Sequence, residues 1–154
     1  MEKSNGNYNL VIAGGMGWKT ESFDDDLAKN KFKEKIICTG FVPDEDLPAL
    51  YSQAISLIYP SKYEGFGLPI VEAMNCEVPV ITAKNSSLPE AGGDAALYFD
   101  TFDVTMLVDR MNEITSKEFD DSSMSKASLS HANSFSWNTF ATTFWNELSQ
   151  LVYK

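Results

Sequence analysis

Two glutamates, Glu64 and Glu72, lie on either side of a glycine-containing turn and are the residues of this chain best suited to chemistry. Gly65 and Gly67 fall between them, and their missing side chains leave backbone amides open to a ligand. Pro69 is the predicted first residue of a helix, so these amides lie beside the positive end of its dipole. The turn therefore favours a polar or anionic group.

The two carboxylates narrow the choice of ligand. An ionised glutamate only accepts hydrogen bonds and repels phosphate, so the pair suits the vicinal hydroxyls of a ribose or hexose. For arbitrary glutamates the ordinary interpretation is a solvated loop charge at Glu64 and a surface helix residue at Glu72. Amides and carboxylates in one short run favour a nucleotide-sugar site over that interpretation.

Apolar, often β-branched runs alternate with helix-like stretches over residues 1–100. The predicted strands are residues 8–13, 35–39, 55–59, 78–82 and 96–99. The predicted helices between them are residues 22–32, 44–54, 68–76 and 88–91. This alternation predicts a parallel sheet covered on both faces, a doubly wound Rossmann-like α/β fold. Ligands bind such a sheet beyond the carboxyl ends of its strands.

The last third of the chain is predicted to be helical. Helices are expected at residues 103–116, 120–133 and 137–152, which gives a single domain over 1–154 with an α/β core at 1–100 and a helical tail at 101–154. The last helix carries an apolar face formed by Trp137, Phe140, Phe144, Leu148 and Leu151. We expect that face to pack on the sheet, with another domain as the alternative. His131, the only histidine, is predicted to be solvated.

Two further loops follow predicted strands. The loop 14–17 begins with Gly14 and Gly15, whose backbone a phosphate could approach, although a tight turn explains these glycines equally well. A dinucleotide site is disfavoured because no acidic residue closes the second strand. Phe41 and Val42 lie in the next loop, which on its own is an ordinary connection.

Composition excludes several classes of partner. The 22 acidic and 12 basic residues give a net charge of −10, which repels nucleic acid and anionic membranes. Cys38 and Cys76 are predicted to be reduced core thiols, and without a leader or apolar span a cytoplasmic location is expected. The acidic run 24–26 could bind a metal. Because it falls early in a predicted helix, it is interpreted instead as the solvated acidic first turn of that helix.

The run 60–74 closely resembles the signature of the family-4, or group 1, retaining glycosyltransferases. The similarity continues at residues 10–15, 39–42, 46–51, 78–82, 88–96 and 135–137. Members of that family have a GT-B fold of two Rossmann-like domains facing across a cleft, with the acceptor on the N-terminal domain and the sugar donor mainly on the C-terminal one. The resemblance implies that this chain is the C-terminal domain, with the N-terminal acceptor domain absent.

The resemblance also assigns roles to residues. Glu64, the candidate catalytic residue, would hold hydroxyls of the transferred hexose, Glu72 the ribose hydroxyls, and the amides of 66–68 the sugar and diphosphate. Phe41 and Val42 would flank the base. The residues implied for sugar-donor binding are Gly14, Gly15, Phe41, Val42, Gly65, Phe66, Gly67, Leu68 and Glu72. Leaving-group charge would be stabilised electrostatically, without a metal or other cofactor.

The implied reaction is hexosyl transfer in polysaccharide biosynthesis from a GDP- or UDP-linked sugar. The loop 85–90 is most similar to the mannosyltransferase-like branch. The chain alone is expected to be inactive, and any peripheral membrane contact is expected through the missing domain only. The alternative function is a non-catalytic module that binds a nucleotide or sugar or assembles with a partner.

Two features depart from the family pattern. The basic residues that neutralise the donor diphosphate lie upstream of the first strand in the family, and Lys19, Lys62 and Lys84 are weak substitutes. Glu77 stands where the family usually has glycine, so the turn there is expected to be built differently.

Overall fold

The computed structural model describes residues 8–15 and 21–152 of the chain. Contacts group the chain into two compact units, one ending at Leu50 and one beginning at Tyr51. Among the helices of the described ranges, none combines the length and the apolarity that a membrane crossing requires. The expectation of a single domain over 1–154 stays a prediction.

The first unit is built on two parallel strands. Its elements are β1 (Leu10–Ala13), α1 (Glu21–Lys29), a 3₁₀ helix (Lys33–Lys35) and β2 (Ile36–Gly40). Leu10 of β1 lies opposite Ile36 of β2. Apolar strand residues remain open to solvent, and Ile37 is 47% exposed. Within the described residues, this strand pair is therefore only partly covered.

The second unit is built on three parallel strands. They are β3 (Leu57–Tyr59), β4 (Val80–Ala83) and β5 (Ala96–Phe99), with β4 in the centre. All four residues of β4 are buried, so covering on both faces is confirmed there. The α/β class and the parallel pairing are confirmed as well. Within the described residues, however, the strands form two separate sheets, because the short β3 pairs with β4 alone.

Helices of the second unit supply most of its core. The helix α2 (Leu47–Ser52) leads into this unit, and α3 (Leu68–Asn75) and α4 (Leu88–Gly92) follow β3 and β4. Ile70 and Met74 of α3 and Leu88 of α4 are completely buried beside the strands. Burying a side chain of that size stabilises the fold by about 1.5–3 kcal/mol. This core fixes the start of α3 relative to β3.

The helical tail consists of α5 (Val104–Ile114), α6 (Asp121–Ala132) and α7 (Trp137–Val152). Asp103 and Asp120 cap the first two, since each carboxylate accepts a hydrogen bond from a backbone amide of the first turn, at 2.9 and 3.0 Å. The helix α5 packs on β5, and α6 packs on α3. The tail therefore braces the helix that carries Glu72.

The apolar face of α7 is exposed. Trp137 and Leu151 are 77% and 76% exposed, and no residue of this helix is buried. The expectation that this face packs on the sheet is wrong. The central strand β4 is already buried on both faces without any contribution from α7, whose apolar residues stay exposed.

Candidate functional site

The loop between β3 and α3 brings the glycine-containing turn to the carboxyl edge of the sheet. The helix begins at Leu68, as the predicted range 68–76 does, so Pro69 is its second residue and not its first. Gly67 has a φ of +117° and is buried, and a Cβ there would lie 3.1 Å from a methyl group of Leu88. Gly65 is exposed and a Cβ there would meet nothing. Gly67 thus serves the close packing of α3 on α4, whereas Gly65 leaves space for a ligand.

Unpaired amides line this turn. Within the described part of the chain, the backbone amides of Gly65, Phe66, Gly67 and Leu68 donate no hydrogen bond. The ring of Phe66 is anchored edge-to-face on Phe135, with centroids 5.3 Å apart. These amides lie at and just before the start of α3, where the helix dipole is positive, so the turn can bind an anionic or strongly polar oxygen.

Glu64 is held in one orientation by two hydroxyl groups. Tyr59 and Ser61 each donate a hydrogen bond to its Oε1 at 2.8 Å. The bond from Ser61, followed by the bond from Tyr59, lowers the pKa of Glu64 despite the opposing effect of burial. Within the described residues Oε2 accepts no hydrogen bond. Glu64 is therefore an ionised carboxylate with one oxygen free to accept a hydroxyl.

Glu72 has a similar partner. The Tyr51 hydroxyl donates to its Oε2 at 3.0 Å. Burial, the charge of Glu72 and this hydrogen bond raise the pKa of Tyr51 far above its usual value. Burial first, then the hydrogen bond and charge of Glu64 and the charge of Glu72, raise the pKa of Tyr59 to about 12. Each carboxylate thus accepts a hydrogen bond from a tyrosine hydroxyl, Glu64 from Tyr59 and Glu72 from Tyr51.

The phenols and the serine were absent from the sequence-based site. Tyr59 ends the strand that leads into the turn and Ser61 follows it, so spacing alone could have indicated both. Tyr51 lies 21 residues from Glu72 in another helix, and no local pattern signals their contact.

The candidate residues of the first unit also meet at the carboxyl ends of its strands. The Gly14 amide donates to the Gly40 carbonyl at 2.9 Å, and both residues have positive φ. Gly15 is exposed, with open space where a Cβ would stand. Phe41 is 79% exposed and Val42 is half-buried. The structure therefore brings Gly14 and Gly15 next to the loop that carries Phe41, while the rest of the loop 14–17 lies outside the described residues.

The three lysines considered as substitutes for the family's diphosphate-binding residues, and the possible metal ligands, are placed as follows. Lys62 stacks on Phe102, with Nζ 4.9 Å from the ring centroid, and Lys84 is exposed at the end of β4, whereas Lys19 lies outside the described residues. The acidic run 24–26 is exposed within α1. Among the residues that the structure describes, no three His, Cys, Asp or Glu side chains converge as metal ligands.

Two expectations about single residues are wrong. Cys38 is exposed, because β2 is uncovered, whereas Cys76 is half-buried, and both thiols are free. His131 is half-buried, with Nε2 3.1 Å from the Ala91 carbonyl oxygen. A Cβ on Gly93 would lie only 2.5 Å from the His131 ring, because α6 packs against the 3₁₀ turn that contains Gly93.

A separate cavity of about 400 Å³ opens at the opposite, amino edge of β3 and β4. Ile55, Pro79, Cys76 and Phe119 contribute to its wall. Neither glutamate of the turn lines it, and the chemistry described above does not reach it. The turn at the carboxyl edge is the better candidate because free amides and oriented carboxylates converge there.

The sequence matches a known family over most of its length. The family described as glycosyl transferases group 1 matches residues 1–131. The chain belongs to that family. This group 1 glycosyltransferase domain is 38% identical over 135 residues to the O-antigen chain mannosyltransferase B of Escherichia coli, which covers 88% of the chain and 35% of that protein. It is 35% identical over 96 residues to the O-antigen chain mannosyltransferase RfbU of Salmonella typhimurium, covering 62% of the chain and 27% of that protein.

Solved structures share the fold of this glycosyltransferase domain. Sucrose-phosphate synthase from Thermosynechococcus elongatus superposes with a TM-score of 0.83 at 22% identity, covering 93% of this chain and 38% of that chain. Anabaena HepE in complex with UDP superposes with a TM-score of 0.86 at 18% identity, covering 96% of this chain and 42% of that chain. The domain therefore has an α/β fold found in GT-B glycosyltransferases. It spans about a third of the length of the E. coli relative.

Proposed function

We propose that this group 1 glycosyltransferase domain binds the nucleotide-sugar donor of a family-4 retaining enzyme that transfers a hexosyl group, mannose in particular, during polysaccharide biosynthesis. The observation that carries the proposal is the pairing of two hydroxyl-oriented carboxylates, Glu64 and Glu72, with unpaired amides at the start of α3. The mannosyl preference is supported by the names of the two O-antigen relatives.

The proposed roles follow from the hydrogen-bonding capacity of each group. The free Oε2 of Glu64 accepts hydroxyls of the transferred hexose, and the free oxygen of Glu72 accepts ribose hydroxyls. The amides of 66–68 bind the sugar and the diphosphate and stabilise leaving-group charge electrostatically, without a metal or other cofactor. In the first unit, Phe41 and Val42 flank a base.

The proposed enzyme is larger than this chain. The chain spans 35% of its E. coli relative, and we assign acceptor binding to a separate domain that faces this one as the N-terminal half of a GT-B pair. The chain alone is then inactive in transfer. We place the protein in the cytoplasm, a location supported by the free, exposed thiol of Cys38, which a reducing compartment tolerates.

A second candidate function is a non-catalytic module that assembles with a partner. The exposed apolar face of α7 favours it, because a large uncovered apolar surface marks an interaction site. Assembly through α7 does not require Glu72, so the binding experiment that follows separates the two functions.

The test is a titration of the chain with GDP-mannose, UDP-glucose, GDP and UDP, repeated on Glu72→Ala. Removing charge-assisted hydrogen bonds to ribose weakens binding about tenfold to a hundredfold. Glu118→Ala, which removes an exposed glutamate from the α5–α6 connection, serves as the control and leaves affinity unchanged. Undiminished binding by Glu72→Ala removes that residue from the ribose role, and a chain that binds no nucleotide sugar contradicts the proposed function.

A further inference from the structure

The segment Asn85–Ser87, which connects β4 to α4, contacts the backbone of the turn on both sides of Glu64. The amide of Glu64 donates to the Ser86 hydroxyl at 3.1 Å. The Ser87 hydroxyl lies 2.9 Å from the Glu64 carbonyl oxygen and 3.0 Å from that of Phe66, which share its proton. Both backbone groups of Glu64 are therefore fixed by neighbouring serines from another loop.

Ser87 is placed where its hydroxyl would ordinarily cap a helix. It is the N-cap residue of α4, and serine there usually accepts a hydrogen bond from an amide of the first turn. No such capping bond is present. The hydroxyl instead points to the Glu64 and Phe66 carbonyls, so it serves the turn rather than its own helix.

Ser86 occupies an unusual backbone conformation. Its φ is +43°, in the left-handed region that residues other than glycine rarely adopt. Strain of this kind persists where the surrounding structure holds it and is concentrated at functional sites. Here it directs the Ser86 hydroxyl toward the amide of Glu64.

Asn85 extends the same connection to both neighbouring strands. Its side-chain amide donates to the Ser61 carbonyl at 3.1 Å and also to the hydroxyl of Thr101. Ser61 in turn donates to the Glu64 carboxylate. Hydrogen bonds of Asn85 thereby connect the loops that follow β3, β4 and β5 at the carboxyl edge of the sheet, where Glu64 lies.

We propose that Ser86 and Ser87 are positioning residues that determine sugar recognition by fixing Glu64, without touching the sugar themselves. The proposal rests on the proposed function, in which Glu64 accepts hexose hydroxyls. Glu72 is oriented instead by Tyr51 and by its place in α3, and neither serine bonds to it. Loss of a serine contact therefore weakens recognition of the hexose more than recognition of the nucleotide.

The experiment measures a sugar ratio, which is the Kd of GDP divided by the Kd of GDP-mannose. The same ratio is measured for UDP and UDP-glucose, and it reports how much the sugar adds to the affinity of the nucleotide. NMR titration of the chain provides these values at weak affinity, and chemical unfolding monitors stability. Ser86→Gly removes the hydroxyl while relaxing the left-handed backbone, so the variant folds. Ser87→Ala removes the other hydroxyl, and Ser87→Thr retains it.

Ser125→Ala is the matched control. The Ser125 hydroxyl donates to a backbone carbonyl, that of Glu77, at 2.9 Å, as Ser87 does, but beyond the other end of α3. The Ser125→Ala substitution therefore removes a hydrogen bond of the same kind at a site remote from the turn. Its sugar ratio is expected to equal that of the wild type.

We expect Ser86→Gly and Ser87→Ala to lower the sugar ratio about threefold to tenfold, and Ser87→Thr to restore it. Unchanged ratios in both hydroxyl-free variants overturn the positioning role while leaving the proposed function intact. Equal losses for nucleotide and nucleotide sugar, accompanied by reduced stability, also overturn it by indicating a purely structural role. A wild-type chain that binds no nucleotide sugar contradicts the proposed function itself, and the inference falls with it.

Discussion

The orientation of Glu64 depends on how its two oxygens are used. Tyr59 and Ser61 both donate to Oε1, so a hydroxyl ligand meets Oε2, which is already directed by its neighbours. A carboxylate held in this way loses less side-chain entropy on binding than a freely rotating one. The same two hydrogen bonds favour the charged form of the carboxyl group and lower its pKa.

Replacement of Tyr59 by phenylalanine is expected to raise the pKa of Glu64 toward its ordinary value. Because the folded pKa is depressed, the contribution of this carboxylate to stability is present above the unfolded-state pKa and is lost as pH falls through the folded pKa. Tyr59→Phe reduces that acid sensitivity, and Ser61→Ala reduces it further because its hydrogen bond has the larger effect. Carboxyl carbon NMR titration of Glu64 measures the shift.

Tyr63→Phe is the control for this titration. Tyr63 is exposed and its hydroxyl makes no hydrogen bond within the described chain, so its removal leaves the pKa of Glu64 unchanged. An unaltered pKa in both Tyr59→Phe and Ser61→Ala would show that these hydrogen bonds do not set the charge state of Glu64.

At the scale of elements, the end of α3 explains why glycine is favoured at one position of the motif. The Glu77 amide donates to the Met74 carbonyl and the Val78 amide to the Ala73 carbonyl, each at 3.0 Å, which is the Schellman pattern of a helix end. Glu77 has a φ of +59°, the left-handed conformation that this pattern requires. The expectation that Glu77 forces a different turn is wrong, because its backbone adopts the conformation suited to glycine.

Glu77→Gly is therefore expected to stabilise the protein. The left-handed conformation costs a residue with a side chain about 1–2 kcal/mol, and the greater freedom of glycine in the unfolded chain offsets part of this, leaving a gain of about 0.5–1 kcal/mol. The free energy of unfolding from urea denaturation measures the gain. Glu77→Ala removes the same charge without relieving the backbone, and a gain of equal size in that variant would attribute the effect to charge.

Element types were predictable from periodicity, but contacts between elements were not. The strand 96–99 and the helix 137–152 have the predicted bounds, because a clear apolar pattern marks both. The helix expected at 44–54 is shorter, since Asp46 forms a turn with the Pro43 carbonyl before α2 begins. The burial of His131 depends on the packing of α6, which a local sequence window does not contain.

In the molecule as a whole, the two glutamates of the candidate site were predictable from the sequence. The side chains that form hydrogen bonds with them were not. Spacing alone placed Glu64 and Glu72 around the turn, and in the structure each accepts a hydrogen bond from a tyrosine hydroxyl. The contacts of Tyr51 and of the serines 86–87 join segments distant in sequence, so they follow from the fold rather than from a motif.

The candidate turn and a separate cavity lie at opposite edges of the second unit. The turn after β3 lies at the carboxyl edge, whereas the cavity of about 400 Å³ lies at the amino edge. Open parallel sheets bind ligands at the carboxyl edge, and at that edge of the second unit unpaired amides lie beside oriented carboxylates. We therefore propose that the nucleotide sugar binds at the carboxyl edge.

Amide chemical-shift mapping during titration with GDP-mannose, or with UDP-glucose, tests this claim most directly. If the nucleotide sugar binds at the turn, the amides of Gly65, Phe66, Gly67 and Leu68 shift with ligand concentration, while those of Cys76 and Glu77 at the amino edge do not. Saturable shifts confined to the amino-edge cavity, with the amides of the turn unmoved, would contradict it.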